Sequence, residues 1–169
     1  MRQALYRVSG VDLATIDAIG VETIQVVISE YGPDLIRFPN EKNFVSHLTL
    51  APRQAISGGK AVTKNKKKGT ATTRVAGTLR MAALCLRNSK TALGAFYRQI
   101  SRRKGGDVAV SATSRKPATI ICRLLQWGQP YVDQGADAYE KQYRQGRLSN
   151  LKTTAQDLGY DLIPKATEA

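Results

Sequence analysis

Over most of this 169-residue chain, apolar side chains recur every three or four positions, which predicts a helical protein. Between Val11 and Tyr31, Leu13, Ile16 and Ile19 form one stripe, Gly20-Val21 interrupts it, and Ile24, Val27 and Ile28 resume it. That spacing predicts a short helix, a tight glycine turn and a second helix with Thr23 near its start. Pro33 and Pro39 then break the period, and Asn40 stands where it can cap a third helix through Leu48, burying Phe44 and Leu48. Residues 49–70 have no helical period. Pro52, Gly58, Gly59 and Gly69 mark them as loop, with room for a short hairpin.

Helical spacing returns after Gly69. Val75, Leu79, Ala82 or Ala83 and Leu86 share one face, with Arg74, Arg80 and Arg87 largely off it; past Asn88-Ser89, Leu93, Phe96, Tyr97 and Ile100 align. A further helix is predicted from about Asp107 to Trp127, with Val108, Ala112, Ile120, Ile121, Leu124 and Leu125 inward. Pro117 in its middle lacks a backbone donor, so a kink or break is expected there. A polar segment from Gly128 leads into a last helix carrying Leu148, Leu151 and Leu158. Strand signals are almost absent. The expected fold is all-α: a helix-hairpin-helix-like part over 10–32 and a small bundle within 1–128, one long basic loop over 49–70, and a C-terminal polar segment and helix over 129–169.

Charge changes this picture. The chain is 42% apolar, enough for a modest core, yet its formal net charge is +13. Residues 1–41 carry three basic and six acidic side chains, and residues 107–169 carry eight and seven. Between them, residues 42–106 hold fifteen Lys or Arg and no Asp or Glu. Surface helices ordinarily mix signs, so this segregated field argues against an enzyme for acidic metabolites and for a polyanionic partner. The plainer alternative is a solvated basic face with a flexible lysine loop. No run approaches the roughly 20 apolar residues of a membrane span, and "MRQALYRVSG" lacks a signal-peptide core. Cys85 and Cys122 read as reduced core cysteines of a cytoplasmic protein. With His47 the sole histidine, no zinc or other metal site is expected from this chain.

The candidate chemistry lies in "APRQAISGGKAVTKNKKKGT", residues 51–70. Arg53 and Lys60 bracket Ser57, and Gly58-Gly59 removes side-chain bulk, so a phosphate could approach the backbone closely. Lys64, Lys66, Lys67 and Lys68 follow, then Arg74. A serine hydroxyl becomes a nucleophile when its proton is taken or the developing charge on its target is stabilised, and cations around a phosphodiester supply the second. No general base is evident, His47 being ten residues away. On these residues alone a turn serine contacting phosphate is favoured over a nucleophile. A second candidate contact is the turn at Gly20 and Thr23, where a helix N-terminus would aim N–H groups at a phosphate; the alternative is a plain αα-hairpin, and Glu22 opposes an anion there.

The order of motifs "LYRVSGVDLATIDAIGVETIQVVISEYG", "RFPNEKNFVSHLTLAPRQAISGGK", "RVAGTLRMAA", "ALGAFYRQI" and "YVDQGADAYEKQYRQGRLSNLK" resembles the C-terminal serine domain of a bacterial insertion-sequence transposase family, the IS116/IS110/IS902 type. The resemblance runs from about Leu5 to Pro164. Members of that family, also called bridge-RNA-guided recombinases, join an N-terminal RuvC-like domain bearing DEDD carboxylates to the serine domain. The resemblance implies that Ser57 attacks DNA to form a phosphoserine link, with Arg53, Lys60 and the lysines at 64, 66, 67 and 68 along the strand. It further implies Mg²⁺ held by the carboxylate domain, DNA and guide RNA as partners, a homo-oligomer or a full-length transposase as assembly partner, and a place at the bacterial nucleoid.

Three departures qualify it. No counterpart of the carboxylate domain is present, which reads as a truncated copy, so stand-alone enzyme activity is left open. Thr49 stands where the family pattern has glycine, and Lys116-Pro117-Ala118 where it has Lys-Leu-Ala. The leading expectation is a DNA-binding transposase domain; the second is a catalytically inactive nucleic-acid-binding remnant. A small basic structural protein would explain the charge but not the motif order.

Overall fold

Seven α-helices and one β-hairpin carry the residues that the computed structural model describes, namely 1–50, 55–57, 60–62 and 73–163. They are α1 (Arg2–Ser9), α2 (Val21–Tyr31), α3 (Glu41–His47), β1 (Ala55–Ser57), β2 (Lys60–Val62), α4 (Arg74–Cys85), α5 (Ala92–Lys104), α6 (Gly106–Trp127) and α7 (Gly135–Asp157). The fold is all-α in character, as the periodicity predicts.

The first helix expected within 11–19 is corrected to a three-residue 3-10 turn, Leu13–Thr15. Asp12 explains it. Its carboxylate accepts from the Ala14 N–H at 3.1 Å and its carbonyl from the Thr15 hydroxyl at 2.8 Å, local bonds that compete with helix propagation. The apolar stripe survives all the same, with Leu13, Ile16 and Ile19 buried. An unforeseen helix, α1, precedes the turn; it buries no residue fully and ends at Gly10, whose positive φ of 71° lets its N–H reach the Tyr6 carbonyl at 2.8 Å. Asn40 caps α3 as expected, its side chain accepting from the Asn43 N–H at 3.0 Å, and Phe44 and Leu48 are fully buried.

α6 packs against α3, α4 and α5, and α7 packs against α5. Its buried stripe is Ala109, Thr113, Ser114, Pro117, Ala118, Ile121, Cys122 and Leu124. Two expectations are corrected there. Pro117 does not break the helix: it lies within one continuous α6 and is fully buried. A proline inside a helix costs about 3 kcal/mol, a penalty that burial on three sides can offset. Val108 is not inward but 44% exposed; Ala109 takes its place. The cysteines divide. Cys85 is exposed at the end of α4, off the stripe of Val75, Leu79, Ala82 and Leu86, whereas Cys122 is buried and its thiol pKa is pushed up to about 11 by that burial.

The stretch expected to be a polar connector is largely helix, because α7 already begins at Gly135. Tyr139 docks it: the phenol donates to Gln99 Oε1 at 2.7 Å and the ring meets Phe96 edge-on. Leu148, Leu151 and Leu158 are exposed. Ahead of α7, Tyr131 donates to Asp17 Oδ2 at 3.1 Å and Asp133 Oδ1 at 3.4 Å, and Asp133 Oδ1 also accepts from the Ala92 N–H at 3.0 Å. Partial burial, joined by the neighbouring Asp133 charge, raises the pKa of Asp17.

Two measurements of thermal unfolding check this packing. A Cβ at Gly94 would collide with the carbonyl oxygens of Ser89 and Leu86, so Gly94→Ala is expected to destabilise the chain by about 1–3 kcal/mol. A raised carboxyl pKa favours the neutral form on folding, so the Asp17 contribution is present at acid pH and lost as pH rises through the carboxylate range. Asp17→Asn should therefore raise the midpoint near neutral pH and leave it nearly unchanged in acid.

Candidate nucleic-acid interface

The basic segment leaves the helical scaffold at Leu50 and returns to it at Thr73, and both ends are fixed by helix-capping chemistry. α3 closes with a Schellman motif: the Thr49 N–H donates to Ser46 O at 3.0 Å and the Leu50 N–H to Val45 O at 3.1 Å. The hydrophobic contact typical of that motif is available, since Leu50 and Val45 are both buried. At the other end the Thr73 hydroxyl accepts from the Ala76 N–H at 3.2 Å, capping α4, and Val75 is fully buried. α3 and α4 both rest on α6, so the two ends share one support.

Between them β1 pairs antiparallel with β2, with Ala55 opposite Val62, Ile56 opposite Ala61 and Ser57 opposite Lys60. Two glycines connect the strands, a composition suited to a tight hairpin. The candidate serine thus sits at the strand end nearest the connection, directly opposite a lysine. Arg53, Gly58, Gly59, Lys64, Lys66, Lys67 and Lys68 lie outside the described residues. Arg74 is the first residue of α4, 78% exposed, with Nε 3.8 Å from Glu30 Oε1. So loose and wet an ion pair contributes little and leaves the guanidinium free to turn toward another anion. The α4 N-terminus beneath it is itself electropositive.

Gly20 and Thr23 are not brought to this place. Gly20 is the N-cap of α2, in extended conformation, and Thr23 follows in the first turn beside Glu22. The Arg74 contact is made by Glu30 at the far end of α2, roughly 15 Å along the axis at 1.5 Å per residue. His47 ends α3, exposed, its ring against Tyr31 and Phe38, with the Arg37 guanidinium over those two aromatic rings at 4.6 and 4.9 Å.

Two cations that the sequence pattern does not single out stand beside Thr49 and Leu50: Arg80 of α4 and Arg115 of α6. Periodicity sets Arg80 off the apolar face, and no spacing rule pairs it with Arg115; their meeting is a product of α4 packing on α6. Next to that meeting place, and sharing Arg115 with it, α3, α5, α6 and the approach to α7 enclose a groove of about 1100 Å³ lined by Lys42, Arg115, Lys116 and Arg123 but also by Glu41 and Asp133. Arg123 is spent there on Glu41 at 2.9 Å, and its hydrogen bond holds the Glu41 carboxyl below the usual range. Among the described residues no three Asp, Glu, His or Cys side chains converge as a cluster of metal ligands would.

A model of the transposase IS116/IS110/IS902 family matches residues 12–98, just over half of the chain. The chain belongs to that family. The match takes in the hairpin and both capped ends of the basic segment, and it ends within α5, so α6 and α7 lie beyond it. A role in transposition follows for this transposase at that coarse level. No protein of curated function and no solved structure matches it. Among the described residues no helix is long and apolar enough to cross a membrane.

The backbone bears on Thr49, where the resemblance implies a glycine. Its φ is 56°. Left-handed backbone is cheap for glycine and strained for a β-branched side chain, by about 1–2 kcal/mol. Thr49→Gly should stabilise the transposase by about 1 kcal/mol, read as a rise of about 2–4 °C in thermal midpoint for a chain of this size.

Proposed function

We propose that this transposase chain holds a DNA strand along its carboxylate-free segment and presents Ser57 to a phosphodiester of that strand. The observation that carries the reading is the hairpin register, which sets Ser57 opposite Lys60 on a segment whose two ends are capped onto the α6 scaffold. In the attack, the Ser57 oxygen forms a bond to phosphorus as its proton leaves. The bond from phosphorus to one deoxyribose oxygen breaks, and that oxygen takes up a proton. Lys60, with Arg53 in the same stretch, neutralises charge growing on the non-bridging oxygens, where cations act most strongly. Lys64, Lys66, Lys67, Lys68 and Arg74 hold the flanking phosphates, a contribution indifferent to sequence and sensitive to salt. Gly58-Gly59 leaves the backbone open to the strand. Gly20 and Thr23, on the far end of α2, would serve a separate phosphate.

The carboxylates and Mg²⁺ implied by the family would come from outside these residues, and guide RNA and further transposase copies are the partners this reading requires. A second reading, an inactive nucleic-acid-binding remnant, draws on the strained Thr49 at the base of the serine segment.

Two experiments separate them. Replacing Lys66, Lys67 and Lys68 together by Gln should weaken duplex binding across all sequences and flatten the dependence of log K on log salt by about 0.9 for each phosphate no longer neutralised. An unchanged slope removes these lysines from the interface. Combined with a family carboxylate domain, Mg²⁺, guide RNA and donor DNA, the native chain should yield a covalent protein–DNA adduct that Ser57→Ala abolishes. An adduct persisting in the variant eliminates Ser57 as nucleophile, and no adduct with either favours the remnant.

A further inference from the structure

We infer that Arg80 and Arg115 form a binding site for one backbone phosphate of the DNA strand, at the foot of the serine segment and beyond the hairpin itself. The site is a cavity of about 360 Å³ bounded by Thr49, Leu50, Arg80, Val108, Ser111 and Arg115. It joins the end of α3 to faces of α4 and α6, elements fixed by the core, so it is preformed.

Two observations point to the ligand. Like most arginines among the described residues, Arg80 and Arg115 have no carboxylate within ion-pair distance, so both charges are available to an outside anion. Two arginines lining one cavity suit a tetrahedral anion, because a guanidinium offers a planar fork of donors to oxygen. The exposed Ser111 hydroxyl adds another donor.

The rest of the wall selects a phosphodiester over a bare ion. Val108, exposed where an inward position was expected, lines this cavity with Ala112 and Leu50. Arginines set in a mainly aliphatic lining match a phosphate with its deoxyribose attached. The site also explains why α6, outside the family match, bears on the serine segment: it contributes Arg115, Ser111 and Val108 to the same strand path.

This rests on the DNA-binding reading above, and the test separates the two. Duplex affinity is measured across a salt series for the native chain, Arg80→Gln/Arg115→Gln, Val108→Trp, and a charge-matched control, Arg7→Gln/Arg144→Gln, whose arginines are exposed away from the cavity. The double variant should lower the salt slope by about 0.9, one phosphate, and the control should not. Val108→Trp fills the cavity without altering charge and should lower the slope likewise; being at an exposed position, it keeps the test open if loss of Arg115 disturbs folding. Native binding with an undiminished slope in the double variant and in Val108→Trp overturns the site and leaves the DNA reading standing. Absence of salt-dependent binding by the native chain overturns both. Inorganic phosphate raising the thermal midpoint of the native chain but not of the double variant, with DNA slopes unaltered, would show a free-phosphate site and overturn the assignment to a strand.

Discussion

The arrangement turns on how closely helices can approach α6. Its buried stripe is made mainly of small side chains, Ala109, Thr113, Ser114, Pro117, Ala118 and Cys122, with Ile121 and Leu124 toward its C-terminal end. Small residues let neighbouring helix axes come near, and the larger side chains of α3 and α4, such as Phe44, Val75 and Leu79, fill the space. Because α3, α4 and α5 all rest on this one helix, the points where the basic segment departs and returns are set by a single support. A bulky substitution on that stripe would be felt first at the base of the serine segment, although no residue of the stripe belongs to it.

The same economy governs the electrostatics. The stretch between Leu50 and Thr73, six cations without one carboxylate, contributes repulsion rather than cohesion to the fold. Its stability must be supplied by apolar packing at its ends, and Leu50 and Val75 are buried there. Acidic side chains appear on the opposite scaffold: Glu30 faces Arg74 and Glu41 holds Arg123. Each exposed pair is weak, so these contacts trim the field rather than cancel it.

Much of the fold was legible in the sequence because helix periodicity and caps are local. Asn40 and the stripe of Val75, Leu79 and Leu86 were readable as a cap and a core face, and the loop at 49–70 left room for the hairpin that forms. What escaped reading was decided by competing local bonds or by tertiary contact. Asp12 turned a helical pattern into a 3-10 turn, α1 formed without a buried face to announce it, and Pro117 stayed within a helix held by three neighbours. For the site, composition pointed to Ser57 and its lysines, since charge segregation is visible in one dimension. Arg80 and Arg115 could not be paired that way, because only the packing of α4 on α6 makes them neighbours.

The capped ends have a bearing on how such a segment can change over generations. With Leu50 and Thr73 each anchored by its own helix, the intervening chain is closed by the scaffold. Loop-closure entropy rises only slowly with length, about 0.6 kcal/mol for each doubling. Residues could thus be inserted into or deleted from the lysine tract at small thermodynamic cost, and its reach along a bound polyanion can drift while the helices beneath stay as they are.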